Sequence, residues 1–413
     1  MRVVAAVLCM GVVQGAFGTI FDVRDYGATG DGKTKDTKAV QKAIDAAVAA
    51  GGGEVLVGAG TYVCGSLFLG DNIDLHLGPG AVIRASADRS DYNARAVCPQ
   101  NWGCAAESVD GQHLLLAIEK RNVTVRGPGK VDGNGAAFLL DPKTGLPWGH
   151  DPSTPKAEFW RGQDKIPFRP AQMLYFVECD NVRLTDLELA DSSYWNVFLH
   201  GCEHVVVRGL NIHNESRRFH THNGDGIDID SCRYVTVSGC LIDVADDCIT
   251  LRADGAGLKR PGDCAYVTVA NCVLSTICNG LRAGVGRGRV HDVTMDNIVF
   301  NGGVGRGTAV NFVGAWEPCE HGVDFENVRC SNWIVNCRRL IHLYPNKAKV
   351  SHFRNLALVH FTGAATEPSE VAGAAEAPAE RIRFFDVDVK TSVRVRSVND
   401  LVVERCAFTV ERQ

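Results

Sequence analysis

The sequence predicts an all-β fold: a single-stranded, right-handed parallel β-helix closed at its first end by one capping helix. Three observations carry that expectation. Apolar and polar residues alternate at period two through most of the 413 residues, the pattern of half-buried strands. The strands also recur in register. CDNVRLTDLEL from Cys179, CEHVVVRGLNI from Cys202, CRYVTVSGCLI from Cys232 and CAYVTVANCVL from Cys264 place the same residue class at the same step, at intervals of 23, 30 and 32 residues. Helical periodicity occurs once, in TKAVQKAIDAAVAA between Thr37 and Ala50.

A repeat of roughly 20 to 50 residues cannot bury its own apolar face and stacks on its neighbours as a solenoid or propeller. Propeller blades need about 40 residues each. The interval of 23 instead fits one coil of three short strands, with longer turns inserted in other coils. Like residues then stack about 4.8 Å apart. A second column holds Cys240 and Cys272, and Cys406 fits it. Such columns read as inward packing rather than metal ligation.

Taken in order, MRVVAAVLCMGVVQGAFG at 1–18 has an early arginine, a short apolar run and small residues at Ala16 and Gly18. That pattern predicts a cleaved secretory signal and an exported, secreted or periplasmic domain over 19–413. The helix presents Val40, Ile44, Ala47 and Val48 on one face, starts at Asp36 or Thr37 and stops at Gly51–Gly53. Residues 140–170, rich in proline, charge and aromatics, form a long excursion. Residues 363–381, GAATEPSEVAGAAEAPAER, read as a flexible surface loop.

Hydrophobic content of 45% and a net charge of −5 describe a soluble globular chain. No basic block interleaved with aromatics supports nucleic-acid binding, and no membrane association is expected once the signal is removed. Fifteen of the 16 cysteines lie beyond the signal, without a CxxC pair, so no zinc site is expected and any disulfides are few. Asn122 and Asn214 lie in N-x-S/T sequons.

Six aspartates interrupt the β pattern in NGDGIDIDSCRYVTVSGCLIDVADDCITL. Asp225 and Asp246 are 21 residues apart, close to one coil, so they should sit on neighbouring rungs at one angular position. Asp247 can join them if the chain bends there, since a strand would point adjacent residues to opposite faces. Three clustered carboxylates suit glycosidic hydrolysis: crowding keeps one protonated as the acid while the others activate water. Calcium is the alternative occupant of such a cluster. Asp228, Asp230 and Asp243 read as turn residues.

At these positions the chain resembles glycoside hydrolase family 28, the polygalacturonases and rhamnogalacturonases of the pectin lyase-like superfamily. The matching stretches are NGDG at Asn223–Gly226, DDC at Asp246–Cys248, FDVRDYGATGDGKTKDT, GPGKVDGNG and SSYWNVFLHGCEHVVVRGLNI. The resemblance implies that Asp246 is the general acid, that Asp225 and Asp247 hold and activate the water, and that Asn223 supports them. It also implies an acidic poly- or oligosaccharide as partner, galacturonan or rhamnogalacturonan, and an inverting glycosidase.

Two family features are replaced: Asn279 stands where a histidine is expected, and GRGTAVNFVG lacks the Arg-x-Lys clamp for a uronate. Arg282 and Arg306 are the candidate substitutes for recognising a carboxylate, His200 and His222 candidate groove residues, and Trp195 and Trp316 candidate sugar platforms. No cofactor or metal is expected, and the chain reads as a monomer. Two other readings remain: a polysaccharide lyase whose aspartates hold calcium, and a non-catalytic carbohydrate-binding β-helix.

Overall fold

The structure, a computed structural model, describes residues 19–94, 111–148, 166–214, 223–303 and 307–413. The signal segment, His222, Arg306 and the centre of the 140–170 excursion lie outside the described residues. The chain winds as a right-handed parallel β-helix. One wall is a 12-stranded parallel sheet running from Leu67–Phe68 to Thr409–Arg412, each strand paired with the strand of the next coil. The other walls form a continuous parallel set of 20 strands.

Alternation builds the interior. In Arg233–Ser238 the inward residues Val235 and Val237 are buried, and they stand in register with Val205 and Val207 before them and Val267 and Val269 after them. The predicted cysteine column is part of the same stack: Cys179, Cys202, Cys232 and Cys264 are at most 1% exposed. Burial pushes the Cys264 thiol up to about 12, so these residues behave as small apolar groups. Every cysteine among the described residues is free.

The expectation of three separate strands per coil holds only in the earlier coils. From Cys264–Ser275 onward two of them merge into one long strand. A left-handed asparagine keeps the bend inside it, Asn271 at φ 57°, Asn297 at 54° and Asn332 at 59°, a conformation that asparagine tolerates better than most residues.

A second asparagine column marks another bend. Asn122 Nδ2 donates to Asn72 Oδ1 at 2.7 Å, and Asn181 Nδ2 donates to Asn122 Oδ1 at 2.8 Å. The sequon residue Asn122 is thus occupied by its neighbours. Asn214 is 4% exposed and accepts from the Ser192 N–H at 3.2 Å, so neither sequon presents a free amide.

The capping helix, α1, spans Thr37–Ala49 and buries Val40, Ala43, Ile44 and Ala47 against the first coil. Val40, Ile44 and Ala47 are buried as expected, but Val48 is 42% exposed and Ala43 completes the stripe in its place. Asp36 precedes the helix without capping it. Its carboxylate accepts from the Thr29 N–H, the Thr29 hydroxyl and the Gly30 N–H. A second short helix, α2, Gly135–Leu139, lies at the mouth of the excursion and was not visible in the periodicity.

Residues 363–381 are not a loose loop. They end one strand, supply Ser369–Ala372 to the 12-stranded sheet and start the next strand at Ala379. Val371, Ala372 and Ala379 are fully buried. Alanine-rich composition here reflects a tight coil whose interior admits small side chains.

Candidate active site

The outer face of the 12-stranded sheet carries the acidic cluster. Strand Ile227–Asp230 pairs with Ile249–Ala253, with Ile227 opposite Ile249, and the Gly226 N–H donates to the Asp247 carbonyl at 2.8 Å. Asp225 therefore stacks beside Asp247, one step from the Asp246 partner that the 21-residue spacing suggests. The chain does bend between Leu241–Asp243 and Ile249–Ala253, which frees Asp246 and Asp247 from opposite-face geometry.

The NGDG turn is shaped for this contact. A Cβ on Gly226 would stand 2.4 Å from the Cys248 carbonyl oxygen, so only glycine permits the two rungs to close. Asn223 adopts φ 63° and its backbone N–H donates to Asp246 Oδ2 at 2.9 Å. The Thr276 hydroxyl holds the Asp246 carbonyl from the next coil. Asp246 is thus fixed at both ends while its side chain remains partly open, whereas Asp225 and Asp247 are 2% and 3% exposed.

The following coil supplies the counter-groups. Asn279 Nδ2 donates to Asp247 Oδ1 at 2.5 Å, and Asn311 Nδ2 braces Asn279 Oδ1 at 3.1 Å. Arg282 bonds Asp247 Oδ2 through Nε, and its Nη2 lies 3.9 Å from Asp225. The guanidinium is 4% exposed and bridges two carboxylates of the cluster, instead of reaching outward as a substrate clamp.

Burial, reinforced by Asp228, Asp246 and Asp247, holds the Asp225 carboxyl well above its usual range, with Arg282 opposing. Burial and the Asp247 charge push Asp246 up to about 6, against the Asn223 N–H, Cys278 and Arg282. An acid poised there can donate a proton in mildly acidic water.

Other sequence candidates fall elsewhere. His200 is fully buried, with Nδ1 3.2 Å from Asp230 and Nε2 2.9 Å from the Ala256 carbonyl, so it does not line the groove. Asp228 and Asp230 are not turn residues: they lie inside strand Ile227–Asp230, fully buried. Burial acts to raise Asp230, but His200, Arg252 and the Asp254 N–H outweigh it and hold the carboxyl low. Trp195 is 1% exposed, stacked on Tyr194 and facing Arg252, which makes it packing rather than a platform. Trp316 is partly exposed, with Arg282 Cζ 6.0 Å from its ring centre.

Two members were missed. Cys278 places its thiol within 4.8 Å of both Asp246 and Asp247; its spacing from Asp246, 32 residues as between Cys232 and Cys264, was the available signal. Half-buried Arg169 donates to Asn223 Oδ1 at 3.3 Å and lies 4.7 Å over the Tyr194 ring. It belongs to the excursion, where no register exists to place it.

Asp246, Asp247 and Cys278 are the described group closest to a metal cage. Calcium suits it poorly, because that ion needs six to eight oxygens, one donor here is sulfur, and Asp247 is engaged by Arg282 and Asn279 on both oxygens.

Comparison with known proteins decides the family. The model described as "Glycosyl hydrolases family 28" matches residues 101–332. The chain belongs to glycosyl hydrolase family 28. A second model, "Rhamnogalacturonase A/epimerase, pectate lyase-like", matches residues 20–76 of this family-28 chain. A probable polygalacturonase of Vitis vinifera is 25% identical across 68% of the chain and 57% of its own length. The exo-poly-alpha-D-galacturonosidase of Dickeya chrysanthemi is also 25% identical, across 76% of the chain and 55% of its own length. The chain thus spans little more than half of each of these two curated relatives. The exopolygalacturonase structure from Thermotoga maritima superposes with a TM-score of 0.69 at 20% identity, covering 95% of this chain and 92% of that one. At that identity the likeness speaks for the family-28 fold alone.

Proposed function

We propose that the chain is an exported glycoside hydrolase that cleaves an acidic, pectin-like polysaccharide, galacturonan or rhamnogalacturonan, with inversion at the anomeric carbon. The observation that carries the reading is Asp246: a partly open carboxyl, fixed by the Asn223 N–H and raised to about 6, beside two buried carboxylates. Asp246 gives its proton to the leaving glycosidic oxygen. Asp247, oriented by Arg282 and Asn279, takes a proton from the attacking water, and Asp225 helps hold that water. Similarity to a probable polygalacturonase and to an exo-poly-alpha-D-galacturonosidase supports the substrate class.

The test incubates the purified chain with polygalacturonate and with rhamnogalacturonan, following reducing ends and the anomer first released by proton NMR. New reducing ends with the inverted anomer are expected. An ultraviolet-absorbing unsaturated product would instead establish a lyase, and binding without turnover would overturn the hydrolase.

A further inference from the structure

A cavity of about 540 Å³ opens on the 20-stranded set, on a different wall from the acidic cluster. Its floor comes from three successive strands, Asp324–Cys337, Phe353–Ala365 and Ala379–Lys390, and Arg405, just past Val398–Glu404, closes one side. Register creates the hollow. Arg329, Ala357 and Arg383 stand directly beside one another on the three strands. Leu356 and Leu358 are buried in the core, so Ala357 and Val359 face outward. An alanine between two arginines leaves a gap of two strand spacings, about 9–10 Å. Val359 and its register partner Phe385 extend the floor with apolar surface.

Both sides of the hollow are fixed by ladders at left-handed bends. On one side Asn355 Nδ2 donates to Asn327 Oδ1 at 2.7 Å, and Asn327 Nδ2 donates to Asp292 Oδ1 at 2.9 Å. On the other, Arg405 bonds both oxygens of Asp386 through Nε and Nη2, and His360 Nε2 lies 3.1 Å from Asp386 Oδ2. Arg383 is oriented from the following coil: Nη1 donates to the Asp400 carbonyl and Nη2 to Asp400 Oδ2, each at 2.6 Å. A cavity held in this way is formed before any ligand arrives.

The charges select the ligand. Arg405 is matched by Asp386 and Arg383 by Asp400, whereas Arg329 is exposed and has no hydrogen-bond or ion-pair partner among the described residues. One guanidinium is therefore left over at the edge of an apolar floor. A carboxylate takes such a group by a bidentate bond, and the C–H face of a sugar ring covers Val359 and Phe385. A uronate carries both features in one unit. The volume lies within the range of small-ligand pockets, roughly 300–1,000 Å³, and holds one or two sugar units. We propose that this cavity is a second, non-catalytic site for a uronate unit of the acidic polysaccharide, gripping the polymer away from the reacting carboxylates. The choice of ligand rests on the proposed hydrolase reading. A polymer held at two points is retained longer than either contact alone allows.

The experiment titrates Asp246→Asn protein with hexagalacturonate in a calorimeter and measures hydrolysis of polygalacturonate by wild type alongside. Two oligomers per chain are expected. Adding Arg329→Ala, or Ala357→Glu to fill the gap with a negative charge, should weaken one of the two sites at least tenfold, the scale of a lost charged hydrogen bond. Fully methyl-esterified hexagalacturonate should leave that site empty. A single bound oligomer, or two that survive both substitutions, overturns the site, and displacement by equimolar inorganic phosphate overturns its assignment to a uronate. Hydrolysis by a chain that binds one oligomer overturns the site and keeps the hydrolase. Two bound oligomers without wild-type hydrolysis keep the site and overturn the hydrolase. Neither substituted side chain is buried, and thermal unfolding verifies that the variants fold.

Discussion

At Arg282 one guanidinium meets two carboxylates, and the charge state of the whole cluster depends on it. Because Arg282 lowers both Asp225 and Asp246, Arg282→Gln should let both hold their protons to higher pH. The kcat/KM profile should shift towards alkaline pH and its maximum fall, by roughly 10²-fold for lost positioning of the base. A clamp for a substrate carboxylate would behave differently, raising KM for unesterified substrate without moving the profile. Coil spacing was enough to single out Asp225, Asp246 and Asp247. It could not tell that Arg282 is taken up by Asp247 and Asp225, because that contact depends on the bend before Ile249 that brings those carboxylates beside it. Asp228, Asp230 and His200 were misread for a related reason: alternation marks them as outward-facing, and only the tertiary structure shows that the outer face of that strand is covered.

Ladders hold the coils in register at the level of the element. Asn122, at φ 57°, both accepts from and donates to its ladder neighbours. Asn122→Ala should cost about 1–2 kcal/mol in denaturant unfolding, the worth of two exposed hydrogen bonds plus a strained left-handed alanine, and leave turnover intact. Gly226→Ala should do more. With its Cβ forced to 2.4 Å from the Cys248 carbonyl, it must separate the rungs that bring Asp225 to Asp247, so turnover should be lost along with stability; activity and unfolding measured on one preparation check both. The columns of Cys, Val and Asn were legible because a solenoid repeats them. The strand at Ser369–Ala372 was not, since alanine and glutamate are weak strand formers and the neighbouring coils impose that conformation.

For the whole molecule, stacking strand on strand leaves a buried charge cluster that affects stability as well as catalysis. Asp246 has its folded pKa raised from 3.8 to about 6, so the folded chain binds that proton more tightly than the unfolded chain does. Its contribution is full below pH 3.8 and is lost as pH rises through 6. Because the carboxyl is partly open, the loss is at most about 2–3 kcal/mol. Asp246→Asn should flatten this part of the Tm-versus-pH curve and raise Tm at neutral pH. The same group allows the most direct test of the proposed chemistry: reducing-end release from polygalacturonate by wild type and Asp246→Asn across pH 4–8. The account predicts a wild-type rate that falls above about pH 6, and a folded variant slower by roughly 10²- to 10⁴-fold with that limb gone. Equal rates, or an unchanged alkaline limb in the variant, would contradict it.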